Sequence, residues 1–403
     1  MKTHNSKSVK IQNTKLAIEK LVELRETSRS KLAKLTTLNK ATISTIINEL
    51  IDKKIVNETN KIYKTSGRSA KIIELNKNAG RIISIDLLTN SIYGVIANLY
   101  GEILYEIKTP VDNTDFSFYF KKIIKTIDKL KLNTHDSTYG IIGIGLGVYG
   151  ILSNDKKIKF ATFTSWKDIE LKKIIENYTG YKTYVENEAN LSALGEKIIY
   201  NNYPNLVSLN IGIGVGMGIV IDDKLYTGED GYAGEIGHTI LIPNGKKCVC
   251  GNYGCLERYI SDTGIEEKYY ELAKKSITIN KYIELYKKDE KHAKIIYNQF
   301  IDYLSITINN ICQILNPSVI VINSKIADNI PETISLIKNK IRSKIVNIEI
   351  LTISSFKAKT NVLGLTHILI QDFLNIDKYK APLWYLYKLK LSLSFKLSFV
   401  NIK

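Results

Sequence analysis

The chain has 403 residues of ordinary hydrophobic content (44%), enough for two or three domains, and no apolar run of 18 residues, which excludes a helical membrane span. Its formal charge of +17 is unevenly placed: residues 1–80 hold 17 Lys/Arg against 7 Asp/Glu, residues 378–403 hold six lysines and no acid, and the stretch between is near neutral. A basic head on a neutral body points to nucleic-acid contacts confined to the head, although an AT-rich genome yields the same lysine bias. The opening MKTHNSKSVK lacks the apolar core of a signal peptide, so a cytoplasmic location is expected.

In chain order, residues 14–27 set Leu16, Ile18, Leu21, Val22 and Leu24 near helical spacing. Ser28 caps a second helix, SRSKLAKLT, with Leu32, Ala33 and Leu35 inward. After the turn 36–39, KATISTIINELIDK puts Ile43, Ile46, Ile47 and Leu50 on one face. Two short helices of this kind, the second led by small polar and basic residues, describe a helix-turn-helix whose second helix enters the major groove. The segment 54–76 alternates apolar and polar residues around Ser66-Gly67-Arg68, the pattern of a two-stranded wing. Thr42, Ser44 and Thr45 are candidate base readers, and Lys31, Lys34 and Lys40 candidate phosphate contacts. Arg68, at a glycine-backed tip, is placed for the minor groove or a phosphate. A three-helix protein-interaction module is the alternative.

Residue 81 opens a new pattern. Two apolar strands follow in 81–104, with Asp86 closing the first, and YGIIGIGLGVYGIL (139–152) is a buried strand running into a glycine-rich loop. Residues 181–196 read as strand then helix, and 206–228 as strand, glycine turn and strand. Helices are expected at 120–132, 168–179, 282–314 and 361–375. Alternation of this kind implies a layered α/β fold, and two such halves would bind a ligand at their junction.

Residues 238–255 hold one of five histidines and three of four cysteines: His238, Cys248, Cys250 and Cys255, interleaved with glycines. One imidazole nitrogen and three thiolates complete a tetrahedral Zn²⁺ shell, and a shell with no water position is structural rather than catalytic. The alternatives are buried thiols beside a surface histidine, or a disulfide. The disulfide is disfavoured because no secretory signal is present and Cys312 sits far away in an apolar run.

The zinc segment, ENEANLSALGE (186–196) and NIGIGVGMGIVIDDKLYTGEDGYAGEIGH (210–238) together resemble the ROK family of repressors and sugar kinases over residues 10–375. Within it the head, the Asn187–Asn190 tetrapeptide and Trp166 are most similar to the xylose-operon repressors of low-GC Gram-positive bacteria. The resemblance implies a winged helix-turn-helix (1–80), then a two-lobed, actin-like sugar-kinase body (81–376) carrying the zinc loop. It also implies sugar contacts at Gly150, Asn187, Glu188, Glu235, His238 and Glu257. His238 would bind metal through one nitrogen and a hydroxyl through the other.

Kinase or repressor turns on departures from the family pattern. The Asp-x-Gly-Gly-Thr phosphate loop of ROK kinases is here Asp86-Leu87-Leu88-Thr89-Asn90, without glycines to bring backbone amides to a phosphate. The catalytic Asn-Asp-Ala-Asn is Asn187-Glu188-Ala189-Asn190, and the extra methylene shifts the carboxylate by about 1 Å, which spoils proton abstraction but not hydrogen bonding. A third glycine pair is replaced by Asn323-Ser324, while Gly214, Gly216 and Gly218 remain. On the sugar side, Tyr149 replaces a small residue or proline, and Ala161–Ser165 replaces the usual Pro-Asn before Trp166.

The reading is therefore a sugar-responsive transcriptional repressor and not an enzyme. It carries structural zinc and no nucleotide, binds operator double-stranded DNA as a homodimer or tetramer, touches no membrane, and takes xylose as the favoured inducer. The first alternative is an ATP-dependent, glucokinase-like sugar kinase with a DNA-binding head. Others are a regulator responsive to glucose or an amino sugar, and a scaffold without ligand. The basic aromatic tail 377–403, strictly alternating from Lys388 to Phe399, is read as a poorly ordered or accidental extension.

Overall fold

The computed structural model describes residues 6–65, 68–134, 137–161 and 166–377. The expected tail from Lys378 onward, the wing-tip residues Ser66-Gly67 and the stretch 162–165 lie outside the described residues. The chain divides into two compact units. One takes the chain up to Glu188 and resumes at Asn361, and the other spans Ala189–Thr360.

The first unit begins with α1 (Ser6–Leu24), which buries Ala17, Ile18, Leu21 and Val22. It starts upstream of the expected helix and stops three residues earlier, because Arg25 takes a left-handed φ of 67° and Glu26–Ser28 turn into strand β1. Ser28 caps α2 (Arg29–Thr36), its hydroxyl accepting from the Lys31 amide at 3.3 Å. Leu32 and Ala33 are buried as expected, whereas Leu35 faces outward. Asn39 caps α3 (Lys40–Asp52) by accepting from the Thr42 amide at 2.7 Å, and Ile43, Ile46, Ile47 and Leu50 are buried. Strands β2 (Val56–Thr65) and β3 (Arg68–Leu75) pair antiparallel, and β1 adds to the far edge of β3.

A five-stranded sheet follows, from β4 (Arg81–Leu87), β5 (Ser91–Ala97), β6 (Ile103–Pro110), β7 (Ile141–Val148) and, later, β10 (Thr183–Asn187). Its order is β10-β7-β4-β5-β6, with β10, β7 and β4 parallel and the other two antiparallel. Every residue of β4 is buried, as a strand covered on both faces requires. Helix α4 (Phe116–Lys131) is capped by Asp115, a short hairpin pairs β8 (Ile151–Leu152) with β9 (Ile158–Phe160), and α5 (Leu171–Thr179) leads into β10. Trp166 is core: its indole N–H donates to the Thr114 carbonyl at 2.9 Å and its ring meets Phe116 and Tyr119 edge-on.

The second unit repeats this plan. After α6 (Glu188–Glu196), strands β11 (Leu206–Ile211), β12 (Val215–Ile221), β13 (Lys224–Leu225), β14 (Val319–Ser324) and β15 (Ile350–Ile353) form a sheet ordered β13-β12-β11-β14-β15. Numbered within each sheet, both orders read 3-2-1-4-5, with the first, fourth and fifth strands parallel. Between β13 and β14 come the zinc-candidate loop, α7 (Glu257–Ile260), α8 (Asp262–Ala273), α9 (Ile279–Lys287) and α10 (Lys291–Leu315). The single helix expected over 282–314 is broken: Asp289 sits at φ 61° and Glu290 caps α10 by accepting from the Ala293 amide at 2.7 Å. Tyr282, Tyr297 and Phe300 fill the core beneath them. Helices α11 (Lys325–Asn329) and α12 (Thr333–Lys340) precede β15.

Helix α13 (Thr360–Leu374) returns the chain to the first unit and lies against its sheet. Gly143 and Gly145 of β7 make room for it. A Cβ at either would come within 2.8 Å of Leu369 or 2.9 Å of Leu365. Among the described residues no helix is long and apolar enough to cross a membrane.

Candidate metal and ligand-binding residues

In the second unit the loop after β13 brings His238, Cys248, Cys250 and Cys255 together, with one ligand atom of each lying within 4.8 Å of all the others. Glycine makes this fold possible. Gly254 has φ +77° and its would-be Cβ would stand 1.7 Å from the Ile242 carbonyl, while a Cβ at Gly245 would meet the Tyr259 hydroxyl at 2.0 Å. Two isolated bridges, Ile240 with Cys255 and Lys247 with Tyr253, are the loop's regular pairing.

The donor spacing fits a tetrahedral ion. Metal–sulfur bonds of about 2.3 Å hold sulfurs roughly 3.8 Å apart, and here Cys250 Sγ and Cys255 Sγ are 3.6 Å apart. Cys248 Sγ is likewise 3.6 Å from Nδ1 of His238. Burial raises the Cys248 thiol and pushes that of Cys255 up to about 12, so thiolates packed this closely call for a cation to stabilise them. The Nε2 of His238 lies 3.9 Å from a Glu235 oxygen. Burial raises the Glu235 carboxyl, opposed by His238 and reinforced by Glu257. Glu257, opening α7, accepts from the Val215 amide at 3.1 Å. Glu235, His238 and Glu257 therefore form one group beside the thiol cluster.

In the first unit, β10 ends at Asn187, whose amide nitrogen donates to the Gly150 carbonyl at 2.8 Å. Gly150 has no room for a side chain, since a Cβ would stand 2.3 Å from the Phe160 carbonyl. Buried Glu186 steadies this corner: it accepts from Lys156 at 2.6 Å, from the Tyr184 hydroxyl at 3.0 Å and from the Asn187 amide at 3.0 Å. Asp86, at the end of β4, is buried and accepts from Asn361 of α13 at 3.1 Å. Burial pushes its carboxyl up to about 7, against that hydrogen bond. Tyr149 follows β7, the strand that lies between β4, near whose end Asp86 stands, and β10, which Glu188 follows. Burial, then Asp86 and Glu188, hold its hydroxyl well above the usual range. Gly150, Asn187 and Glu188 thus belong to one unit, and Glu235, His238 and Glu257 to the other.

The two stretches that lack the kinase glycines are engaged within the protein, the first through its backbone and the second through side chains. Leu88 takes part in the β4–β5 turn through its amide to the Ser91 carbonyl, and its own carbonyl accepts from Tyr119 at 2.6 Å. Asn323 donates to Ser192 at 2.6 Å, to Asn210 at 3.1 Å and to Ser208 at 3.3 Å, and Ser324 caps α11. Of the remaining glycines, Gly218 is required by packing, because a Cβ there would meet the Ala189 carbonyl at 2.1 Å. Asn323 was marked in the sequence only as a lost glycine, and Asn361, a single polar residue just before an apolar run, had no motif to mark it.

In the head Lys31, Lys34, Lys40 and Thr45 are exposed, and Thr42 and Ser44 half-buried. Thr45 donates to the Ala41 carbonyl. Arg68 opens β3, beside the wing-tip residues outside the described set.

The ROK family profile matches residues 82–372. A xylose repressor of Bacillus spizizenii is 31% identical over 376 residues, covering 92% of this chain and 98% of its own length. A glucokinase of Halalkalibacterium halodurans is 32% identical over 268 residues, covering 61% of this chain and 80% of its own. Among solved structures, a ROK family transcriptional regulator, a homologue of the E. coli Mlc protein, superposes with a TM-score of 0.77. It is 23% identical, covers 91% of this chain and 98% of its own length, and speaks for the fold alone.

Proposed function

The chain belongs to the ROK family, and from that premise we propose that it is a sugar-responsive transcriptional repressor whose favoured inducer is D-xylose. The observation that carries this reading is the extent of the likeness. The xylose repressor matches head and body together over 92% of the chain, whereas the glucokinase matches 61% of it. The head, residues 1–80, is a winged helix-turn-helix in which α3 reads operator bases and β2–β3 form the wing. Lys31, Lys34 and Lys40 contact phosphates, Thr42, Ser44 and Thr45 base edges, and Arg68 the wing's groove. The exposure of the three lysines and Thr45 supports these roles.

The body, residues 81–376, binds the sugar through Asn187, Glu188, Glu235, His238 and Glu257, with Gly150 shaping the loop that Asn187 holds. Zn²⁺ bound by His238, Cys248, Cys250 and Cys255 is structural. It fixes the His238 tautomer, leaving Nε2 on the Glu235 side to address a hydroxyl. The protein is cytoplasmic and acts as a homodimer or tetramer on operator DNA. Sugar releases the operator because it favours the state that binds DNA less well, and a preference of about 3 kcal/mol suffices for a hundredfold loss of affinity.

The second reading, an ATP-dependent sugar kinase, is disfavoured on two grounds. The stretch Asp86–Asn90 has no glycine, and Asn323 is engaged by Ser192, Ser208 and Asn210. The deciding test is a gel shift on DNA upstream of the gene and its neighbours, at about 150 mM salt, with and without D-xylose. Retention that xylose releases is expected. Retention unmoved by xylose would remove xylose as inducer, and no specific retention would favour the kinase.

A further inference from the structure

Helix α13 touches the candidate ligand-binding corner at one end and the head at the other, within one compact unit. At its start, Asn361 donates to buried Asp86 at 3.1 Å, and the strands ending here are in register, Leu87 of β4 and Asn187 of β10 both pairing with Val148 of β7, so that Asp86, Tyr149 and Glu188 lie at one shared strand end. Along its length α13 is seated without slack. Leu365 and Leu369 press on Gly145 and Gly143, and Thr366 shares a 2.9 Å hydrogen bond with Ser84 of β4. At its end, the Phe373 ring meets Tyr139 edge-on at 5.3 Å, and the Tyr139 hydroxyl donates at 2.7 Å to the carbonyl of Lys53, the residue that caps the C-terminus of α3. Three residues past α13, the Asp377 carboxylate accepts from Lys15 of α1 at 2.8 Å, and the Asp377 amide donates to Glu19 at 3.0 Å.

We propose that α13, through Tyr139 and Asp377, is the positioning element that passes the state of the Asp86–Glu188 corner to α1 and α3 of the head. The inference rests on the repressor reading and names its regulation. A helix packed on glycines transmits displacement rather than absorbing it, because its side chains have no spare volume to move into. Its contact with the head falls on the end of the proposed DNA-reading helix and on the helix that packs behind it. A contiguous chain of contacts does not by itself amount to coupling, so the test must measure coupling.

Two variants remove the joint while leaving both ends intact. Tyr139→Phe keeps the ring on Phe373 and deletes the hydrogen bond to Lys53, and Asp377→Asn deletes the ion pair with Lys15. Neither residue lies among the proposed DNA or sugar contacts. The readouts are D-xylose affinity by calorimetry, operator affinity without sugar, and the ratio of operator Kd with and without D-xylose. Both affinities are expected to stay within about threefold of the parent while that ratio falls roughly fivefold in each variant and further in the double variant, the scale of one lost hydrogen bond per joint. A double variant that binds operator and retains the parent's full ratio would overturn the relay and leave the repressor reading standing. A parent protein that never releases operator with D-xylose would overturn both.

Discussion

Asp86 shows how far a single residue can depart from its ordinary chemistry when its partners change. It ends a fully buried strand, accepts one hydrogen bond from Asn361, and its other oxygen receives none from the described residues. Burial raises its carboxyl from 3.8 to about 7. The unfolded chain therefore loses this proton near pH 4 while the folded chain keeps it to near pH 7. Folded protein binds the extra proton in that window, so stability falls as pH rises through it, by about 4 kcal/mol in all. Asp86→Asn should flatten the dependence of melting temperature on pH between 4 and 7, and leave the variant more stable than the parent at pH 8. Equal slopes in both proteins would mean that Asp86 ionises as an ordinary carboxylate. The Asn187–Asn190 stretch offers a second test at this scale. Glu188→Gln should weaken sugar-dependent release about tenfold, the value of one charge-assisted hydrogen bond, with operator affinity unaltered. An unchanged sugar response would take Glu188 out of the binding set.

At the scale of elements, the loop 238–255 has little regular pairing to hold it, and its glycines permit the shape without enforcing it. Its order should then depend on the ion. Cys250→Ser, or a strong chelator, should remove stoichiometric zinc, lower the melting temperature, and open the exposed Lys247 to trypsin. Full metal-free stability and protease resistance would end the structural-zinc assignment. The same loop marks where sequence is most legible. A His–Cys–Cys–Cys set with interleaved glycines has few other uses, and its four ligand atoms do converge. Helix starts were legible too, at Ser28, read as a cap before an apolar face, and after the turn 36–39, where Asn39 proves to be the cap. The break at Lys288–Glu290 was not, because the apolar spacing continues in step on both sides of Asp289 and only a left-handed φ interrupts it. Strand β15 was hidden for another reason: four residues paired with β14 alone, at the edge of a mixed sheet, carry too little pattern of their own. Leu35 was misplaced because an eight-residue helix can turn an apolar residue outward with little loss.

Across the whole molecule, the matching 3-2-1-4-5 sheets could not be counted from sequence, since β6 and β15 lack clear signals, yet the layered α/β fold followed from alternation, while the two lobes came from the family resemblance. The charge map belongs to this scale as well. With 17 cationic against 7 anionic side chains in residues 1–80, operator binding should weaken steeply with salt. Replacing Lys34 by Ala should lower the slope of log K against log salt by about one unit, without changing which sequence is preferred. A sequence preference that shifted instead would make Lys34 a base reader. The proposed switch carries a stricter requirement, which needs no knowledge of the route between sites. If saturating D-xylose weakens operator binding by a factor of about 100, then bound operator must weaken D-xylose binding by that same factor, because both ligands report one coupling free energy of about 3 kcal/mol. Calorimetric titration of D-xylose into free protein and into the protein–operator complex measures it directly. Equal sugar affinities in the two titrations, alongside sugar-dependent release in the gel, cannot both describe one equilibrium. That pairing would mean that release proceeds by some route other than differential binding of sugar to two states of this chain.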